Sequence, residues 1–129
     1  MSEQVVTITG KITGRDPELR FIPSGKAVCE FSVRVPGQKA NPKYGREARD
    51  AYFINVTAWE QCAENVAESV RQGDEVIVVG RKETQSWNDK TTGEPRSKDV
   101  IVATRVGVDI TFSPAEITRT TREPALATP

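Results

Sequence analysis

The sequence predicts an all-β domain of five strands with one helix between the third and the fourth, on three observations. Residues 27–35 and 51–59 place alternate side chains on two different faces, which is typical of half-buried strands. A helical period occurs once, in residues 60–71, where apolar side chains recur at i, i+3, i+4 and i+7. The chain has nine glycines and eight prolines, which favours short connections between these segments.

The first strand is predicted in residues 4–14, which are rich in β-branched side chains. Gly10 and Gly14 interrupt it, so we expect a bend or a bulge there. The dipeptide Asp16-Pro17 predicts a turn after this strand, and residues 23–25 (Pro-Ser-Gly) predict a second one.

The second strand, residues 27–35, has a clean apolar face. That face consists of Cys29, Phe31, Val33 and Val35, and charged or polar residues lie between them. Pro36-Gly37 ends the strand. Residues 38–49 are predicted to form a polar loop or a long mobile hairpin tip.

The third strand, residues 51–59, has an unusual second face. Its first face takes Tyr52, Ile54, Val56 and Ala58, and the second takes Phe53, Asn55, Thr57 and Trp59. The second face is polar apart from two large rings, which a sheet surface does not need for stability alone. The helix that follows carries an apolar stripe of Ala63, Val66, Ala67 and Val70, and Gly73 is expected to adopt the left-handed conformation at its end.

The fourth strand is predicted at 75–87 and the fifth at 97–110, with a hairpin loop around Gly93 between them. Residues 113–129 contain three prolines and no apolar period, so we expect a disordered tail after a single domain in residues 1–112. This order of elements is typical of the OB-fold, a five-stranded Greek-key barrel with one helix between strands 3 and 4.

Composition limits the function classes. A chain of 129 residues has room for one ordinary domain. It has no histidine, which excludes a Ser-His-Asp triad, a histidine base and nearly every catalytic zinc site. Cys29 and Cys62 are expected to be buried free thiols. With no long apolar run and no signal sequence, we expect a cytoplasmic protein without membrane contact, catalysis, metal or cofactor.

Charge is segregated along the chain, although 18 basic and 18 acidic residues cancel. Residues 38–49 carry four cations and one carboxylate, whereas residues 60–75 carry five carboxylates and one arginine. This pattern indicates that one surface meets an anion and another does not.

Three sequence blocks resemble the bacterial and phage single-stranded DNA-binding proteins. They are GKITGRDPELRFIPSGKAVCEFSV, YFINVTAWEQCAENVAESVRQGDEVIVVGR and ETQSW, in that order, and the resemblance covers residues 4–112. It implies an OB barrel, usually a homotetramer, that wraps single-stranded DNA without sequence preference in replication, recombination and repair. It also implies a nucleoid-associated or phage-encoded protein.

Phe53, Trp59 and Trp87 match positions where the family stacks bases. Each has a structural alternative: Phe53 could pack against a neighbouring subunit, and Trp59 could pack on the helix. Phe21 also resembles an aromatic residue of the family, but it could equally well pack in the core. Tyr44 lies in residues 38–49, which we call the basic loop.

Phosphate contacts are predicted for cations in three places: the loop after the second strand, the polar face of that strand, and the fourth strand. They are Lys39, Lys43, Arg46 and Arg49, then Arg34, then Arg81 and Lys82.

The chain departs from the family pattern in three places. Near Lys39, where many members carry a tryptophan, it has Gln38-Lys39-Ala40, so Tyr44 could replace the missing ring. Ile54 stands where some members have a polar ring at the subunit contact. The chain ends in TREPALATP instead of an acidic, phenylalanine-tipped peptide, so recruitment of repair proteins by that route is doubtful.

Two other functions are compatible with the sequence. One is an OB-fold protein-interaction module that does not bind DNA. The other is a small hydrolase that depends on carboxylates such as Asp50, Glu60 and Asp89, but no close pair with a nucleophile or metal cluster is present in the sequence.

Overall fold

The computed structural model describes residues 4–119 and confirms the predicted order of elements. Five strands and one α-helix follow one another as β1 (Val5–Phe21), β2 (Ala27–Val35), β3 (Tyr52–Trp59), α1 (Glu60–Ser69), β4 (Glu75–Asn88) and β5 (Pro95–Val108). A single 3₁₀ turn, Pro42–Tyr44, lies in the connection between β2 and β3. The fold is therefore the OB-type barrel that the sequence predicts.

The strands close into a barrel in the order β1-β2-β3-β5-β4. All neighbouring pairs are antiparallel except β3 and β5, which run parallel with Asn55 beside Val100 and Val56 beside Ile101. Parallel neighbours need a crossover, and α1 and β4 supply it. The β3–β5 seam that closes the barrel is short, because residues 55–57 of β3 pair with residues 100–102 of β5.

The predicted turn at Asp16-Pro17 is wrong. β1 runs without interruption from Val5 to Phe21, and its register against β2 shifts between Thr13 and Glu18. A proline is tolerated there because a bulged residue makes no ladder hydrogen bond. β1 changes partner at Lys11, before the bulge: residues 5–11 pair with β4, and residues 11–13 and 18–21 pair with β2.

Two glycines allow the barrel to close. A Cβ atom on Gly10 would lie 2.3 Å from the carbonyl oxygen of Arg34, and one on Gly80 would lie 2.2 Å from that of Val102. Both contacts are with backbone atoms, which cannot rotate away. The neighbouring strands therefore come closer at these points than any other residue permits.

The core consists of the inward side chains of the strands together with one face of α1. Its members include Ile8, Ile12, Cys29, Phe31, Val33, Val35, Val56, Ala58, Val76, Val78 and Ile101 from the strands, and Ala63, Val66 and Val70 from the helical segment. The predicted apolar stripe of α1 therefore covers one end of the barrel. The helix ends at Ser69, two residues before its predicted end, and Gly73 has a positive φ of 94° in the turn that follows.

Both cysteines are free thiols. Cys29 is buried in the barrel, as predicted, but Cys62 on α1 is only half-buried. Burial raises the pKa of both thiols, and the neighbouring Cys62 raises that of Cys29 further. Within residues 4–119 no helix is long and apolar enough to cross a membrane.

In the loop between β2 and β3 the two chain segments stay paired, so the β2–β3 hairpin continues into it. Isolated bridges join Gln38 to Arg49 and Asn41 to Arg46 on either side of the 3₁₀ turn. At the other end of the chain, residues 113–119 are exposed and form neither helix nor strand. The rest of the predicted tail lies outside the described residues, so its disorder stays a prediction.

Candidate nucleic-acid interface

The outward face of β3 presents aromatic side chains at both ends. Phe53 is 64% exposed and Trp59 is 36% exposed, whereas Val56 and Ala58 on the opposite face are buried. Strand alternation separates these two sets, because successive side chains point to opposite sides of a sheet. Asn55 lies exposed between the rings, and Thr57 is buried.

Two cations flank Phe53. Arg34 lies directly opposite it on β2. On the other side, the parallel register that sets Asn55 beside Val100 places Lys98 of β5 next to Phe53, and both residues line one groove at the mouth of the barrel, together with the paired Lys82 and Asp99. Arg34 makes no ion pair within residues 4–119. An exposed ring between two positive charges suits a base and its phosphates.

Trp87 lies on the β4–β5 hairpin where it extends beyond the barrel, and it is 47% exposed. Arg96 is its cross-strand partner, and the Nζ atom of Lys98 lies 6.0 Å from the centre of its ring. Among residues 4–119, no core residue lies beneath this hairpin, because the pairing of β4 with β1 ends at Arg81. The ring is therefore available for a ligand.

The turn of this hairpin is held by Asp89. Its Oδ1 atom accepts hydrogen bonds from the backbone N–H groups of Thr91 and Thr92, at 2.8 and 3.0 Å, and its Oδ2 atom lies 3.5 Å from Nε of Arg96. These hydrogen bonds, from Thr92 first, lower the pKa of Asp89. The carboxylate that a hydrolase would need is thus engaged in holding a turn.

Trp59 differs from the other two rings because it also packs. It lies opposite Val28 of β2, which points outward and yet is only 2% exposed. The next residue, Glu60, has a φ of 57°, which is a strained conformation for a side chain other than glycine. Trp59 therefore covers part of the sheet and keeps about a third of its surface open.

The basic loop begins next to Arg34 and Phe53, since the adjacent residues Val35 and Tyr52 form the last ladder pair of β2 and β3. All four of its predicted phosphate contacts are exposed: Lys39, Lys43, Arg46 and Arg49. Two of them also touch rings or backbone. Arg49 donates to the carbonyl of Pro36 at 2.8 Å and lies 5.6 Å from the Tyr52 ring.

Lys43 lies 5.7 Å from the ring of Tyr44, which is itself exposed. The two residues stand at the outer end of the basic loop, within the 3₁₀ turn. Phe21, at the end of β1, is exposed as well, so core packing is the wrong alternative for it.

Arg81 and Lys82 have carboxylate partners. Arg81 bonds to Glu83 at 2.9 Å, and the Nζ atom of Lys82 lies 3.5 Å from Asp99. Asp99 has a lowered pKa, first because Thr84 donates a hydrogen bond to it and then because of the charge of Lys82. These two cations are weaker candidates for phosphate contacts than Arg34, although exposed ion pairs cost little to open.

Lys98 is the residue that the sequence reasoning missed. It alternates with Arg96 on β5, directly across the hairpin from Gln85 and Trp87. The turn signal at Gly93 could have predicted this position. Counting outward from that turn along both strands places Gln85, Trp87, Arg96 and Lys98 on one face of the hairpin. The parallel pairing of β5 with β3, which brings Lys98 beside Phe53, could not have been predicted by such counting.

A family model described as "Single-strand binding protein family" matches residues 3–109, which is most of the chain. The chain belongs to this family. It is 42% identical over 118 residues to a single-stranded DNA-binding protein of Corynebacterium glutamicum, covering 91% of this chain and 52% of that protein. It is 35% identical to one from Paenarthrobacter aurescens, covering 93% of this chain and 70% of that protein.

Among solved structures, the family member is similar to the small single-stranded DNA-binding protein of Streptomyces coelicolor. The TM-score is 0.67 at 25% sequence identity, and the match covers 85% of this chain and 97% of that one. The likeness therefore extends over nearly the whole of that structure. The chain spans about half the length of the Corynebacterium relative.

Proposed function

We propose that this family member binds single-stranded DNA without sequence preference and protects it during replication, recombination and repair. Bases stack on Phe53, Trp59 and Trp87, and lysine and arginine side chains contact the phosphates. The observation that carries the proposal is the exposure of Phe53 between Arg34 and Lys98 on a barrel wall. Stacking and phosphate contacts are both independent of base identity, since every base has a π face and every phosphate a charge.

The geometry suggests a path for the strand. It enters at the basic loop, passes Arg34 and Phe53, and continues over Lys98 towards Trp87. A second branch follows β3 to Trp59, six residues from Phe53, or about 20 Å at the usual rise per residue. That distance accommodates several nucleotides between the two rings.

The zero net charge does not oppose this path, because several carboxylates lie away from it, and Asp89 and Asp99 beside it are paired with Arg96 and Lys82. Glu64 and Glu68 are exposed on α1, which covers one end of the barrel, whereas the basic loop extends from the β2–β3 hairpin. The carboxylates of α1 are therefore remote from the basic loop, and the field at that loop is set mainly by its own four cations. In this proposal the protein acts in the cytoplasm by binding alone, with no cofactor, metal or reaction.

We extend the proposal to a homo-oligomer, with the tetramer that the family resemblance implies. Apolar side chains stand exposed at the end of β4 and β5 that is remote from Trp87, among them Ile77 and Val108. Contact with other copies would remove them from water. Light scattering with and without a dT oligomer measures the mass and therefore tests the tetramer.

The test of function is a titration of the whole chain with oligo-dT, followed by tryptophan fluorescence. We expect quenching as bases stack on Trp59 and Trp87, similar affinity for a mixed-sequence oligomer, and much weaker binding to a duplex of equal length. We also expect affinity to fall as salt rises, since phosphate neutralisation releases counterions. Unchanged fluorescence, together with no shift in electrophoretic mobility, would favour the protein-interaction module instead.

A further inference from the structure

Lys98 lies where the mouth of the barrel meets the outward face. It lines the groove that contains Phe53 and Asn55, and it also lines a neighbouring depression with Thr13 and Ser32. Its Nζ atom lies 6.0 Å from the centre of the Trp87 ring. One flexible side chain is thus shared by two aromatic sites that are carried by different strands.

The ammonium group of Lys98 is free to change partner. Within residues 4–119 it makes no ion pair, and its neighbour Asp99 points to the other side of β5, where it bonds to Thr84 and Lys82. The contact that holds it is with the Trp87 ring, and cation–π contacts at exposed sites are weak. Arg96 is different, because it already faces Asp89 and Glu94, at 3.5 and 3.9 Å.

We propose that Lys98 covers Trp87 in the free protein and moves to a phosphate when a base stacks on that ring. The inference rests on the proposed function and assigns a further binding residue to the same site. A base and an ammonium group cannot occupy the same ring face, so stacking there displaces Lys98. The displaced charge then lies between the nucleotide on Trp87 and the one on Phe53, where the backbone that joins them must pass.

The first experiment measures the salt dependence of oligo-dT binding for the wild type, Lys98→Gln and Lys98→Arg. For single strands, each phosphate contact contributes about 0.7 to the slope of log affinity against log salt. Between about 50 and 200 mM salt, the wild type should therefore lose about 2.6-fold more affinity than Lys98→Gln. Lys98→Arg keeps the charge and should restore the slope.

The matched control is Arg105→Gln. Arg105 is exposed on the same strand, at the end remote from Trp87, so the variant loses one positive charge outside the proposed path. It should keep the wild-type slope. An equal slope for wild type and Lys98→Gln would overturn the phosphate contact, as would a loss of affinity without a change of slope.

The second experiment tests whether Lys98 covers the ring. In a Trp59→Phe background, Trp87 is the single tryptophan of the chain. Lys98→Gln should increase quenching of its fluorescence by neutral acrylamide in the free protein and leave quenching in the DNA complex unchanged. Equal quenching of the free Trp59→Phe protein with and without Lys98→Gln would refute the proposal that Lys98 covers the Trp87 ring before it moves to a phosphate. Failure of the wild type to bind oligo-dT would instead refute the proposed function itself.

Discussion

Replacing Phe53 by alanine separates a binding role from a structural one. The ring is 64% exposed, so the change removes only about a third of the 1.5–3 kcal/mol associated with full burial of such a side chain, or about 0.5–1 kcal/mol of stability. That corresponds to a fall of a few °C in Tm. Loss of one stacked base, by contrast, costs about 1–3 kcal/mol of binding free energy, which weakens affinity about 5- to 160-fold.

The assay is fluorescence titration with oligo-dT, because Phe53→Ala retains both tryptophans as reporters. The matched control is Val56→Ala, three residues along the same strand but buried in the core. It should cost about 2 kcal/mol of stability, from lost burial and the cavity left behind, with little effect on the affinity of the folded protein. Wild-type affinity with a large fall in Tm for Phe53→Ala would refute the stacking assignment.

Three further predictions use the same measurements. Trp87→Ala should weaken oligo-dT binding by a similar factor with little change in Tm, since the hairpin extends beyond the core; a large stability loss with unchanged binding would contradict this. Gly80→Ala should cost about 3 kcal/mol or more, because its Cβ would lie 2.2 Å from a backbone oxygen; a wild-type Tm would show that the strands can separate. Burial raises the pKa of Cys29 from 9.0, so the unfolded chain loses this proton first. Stability to urea should therefore fall above about pH 9.0, and less steeply in Cys29→Ala; equal pH dependence would exclude the thiol as a cause.

Local patterns predicted most of the elements because their information lies within a few residues. The alternation in 27–35 and the stripe from Ala63 to Val70 each need only a period of 2 or 3.6 to be recognised. Alternation in residues 51–59 likewise placed Phe53 on the face opposite the apolar one, and its side chain is exposed. Asp16-Pro17 failed because local turn propensity competes with pairing to β2, and the pairing prevailed through a bulge.

Local patterns could not predict which carboxylates and carbonyls would bind the predicted cations. Lys82 and Asp99 are brought together by the β4–β5 hairpin, and Arg49 reaches back to Pro36 across the basic loop. The sequence favours the clustered cations of the basic loop over Arg34, Arg81 and Lys82, but it does not show which of them are paired. The structure distinguishes them by which carboxylates and carbonyls lie within reach: Arg81 and Lys82 have carboxylate partners, whereas Arg34, beside the exposed Phe53, makes no ion pair in the described chain.

By itself, the sequence determined that this chain is a five-stranded barrel with one covering helix and rings on its outward face. Periodicity, turn residues and the absence of histidine are properties of neighbouring residues or of composition. Only the tertiary structure decided that Lys98 stands between Phe53 and Trp87. Its position depends on a parallel pairing of β3 with β5, and such a pairing between distant segments is set by closure of the whole barrel.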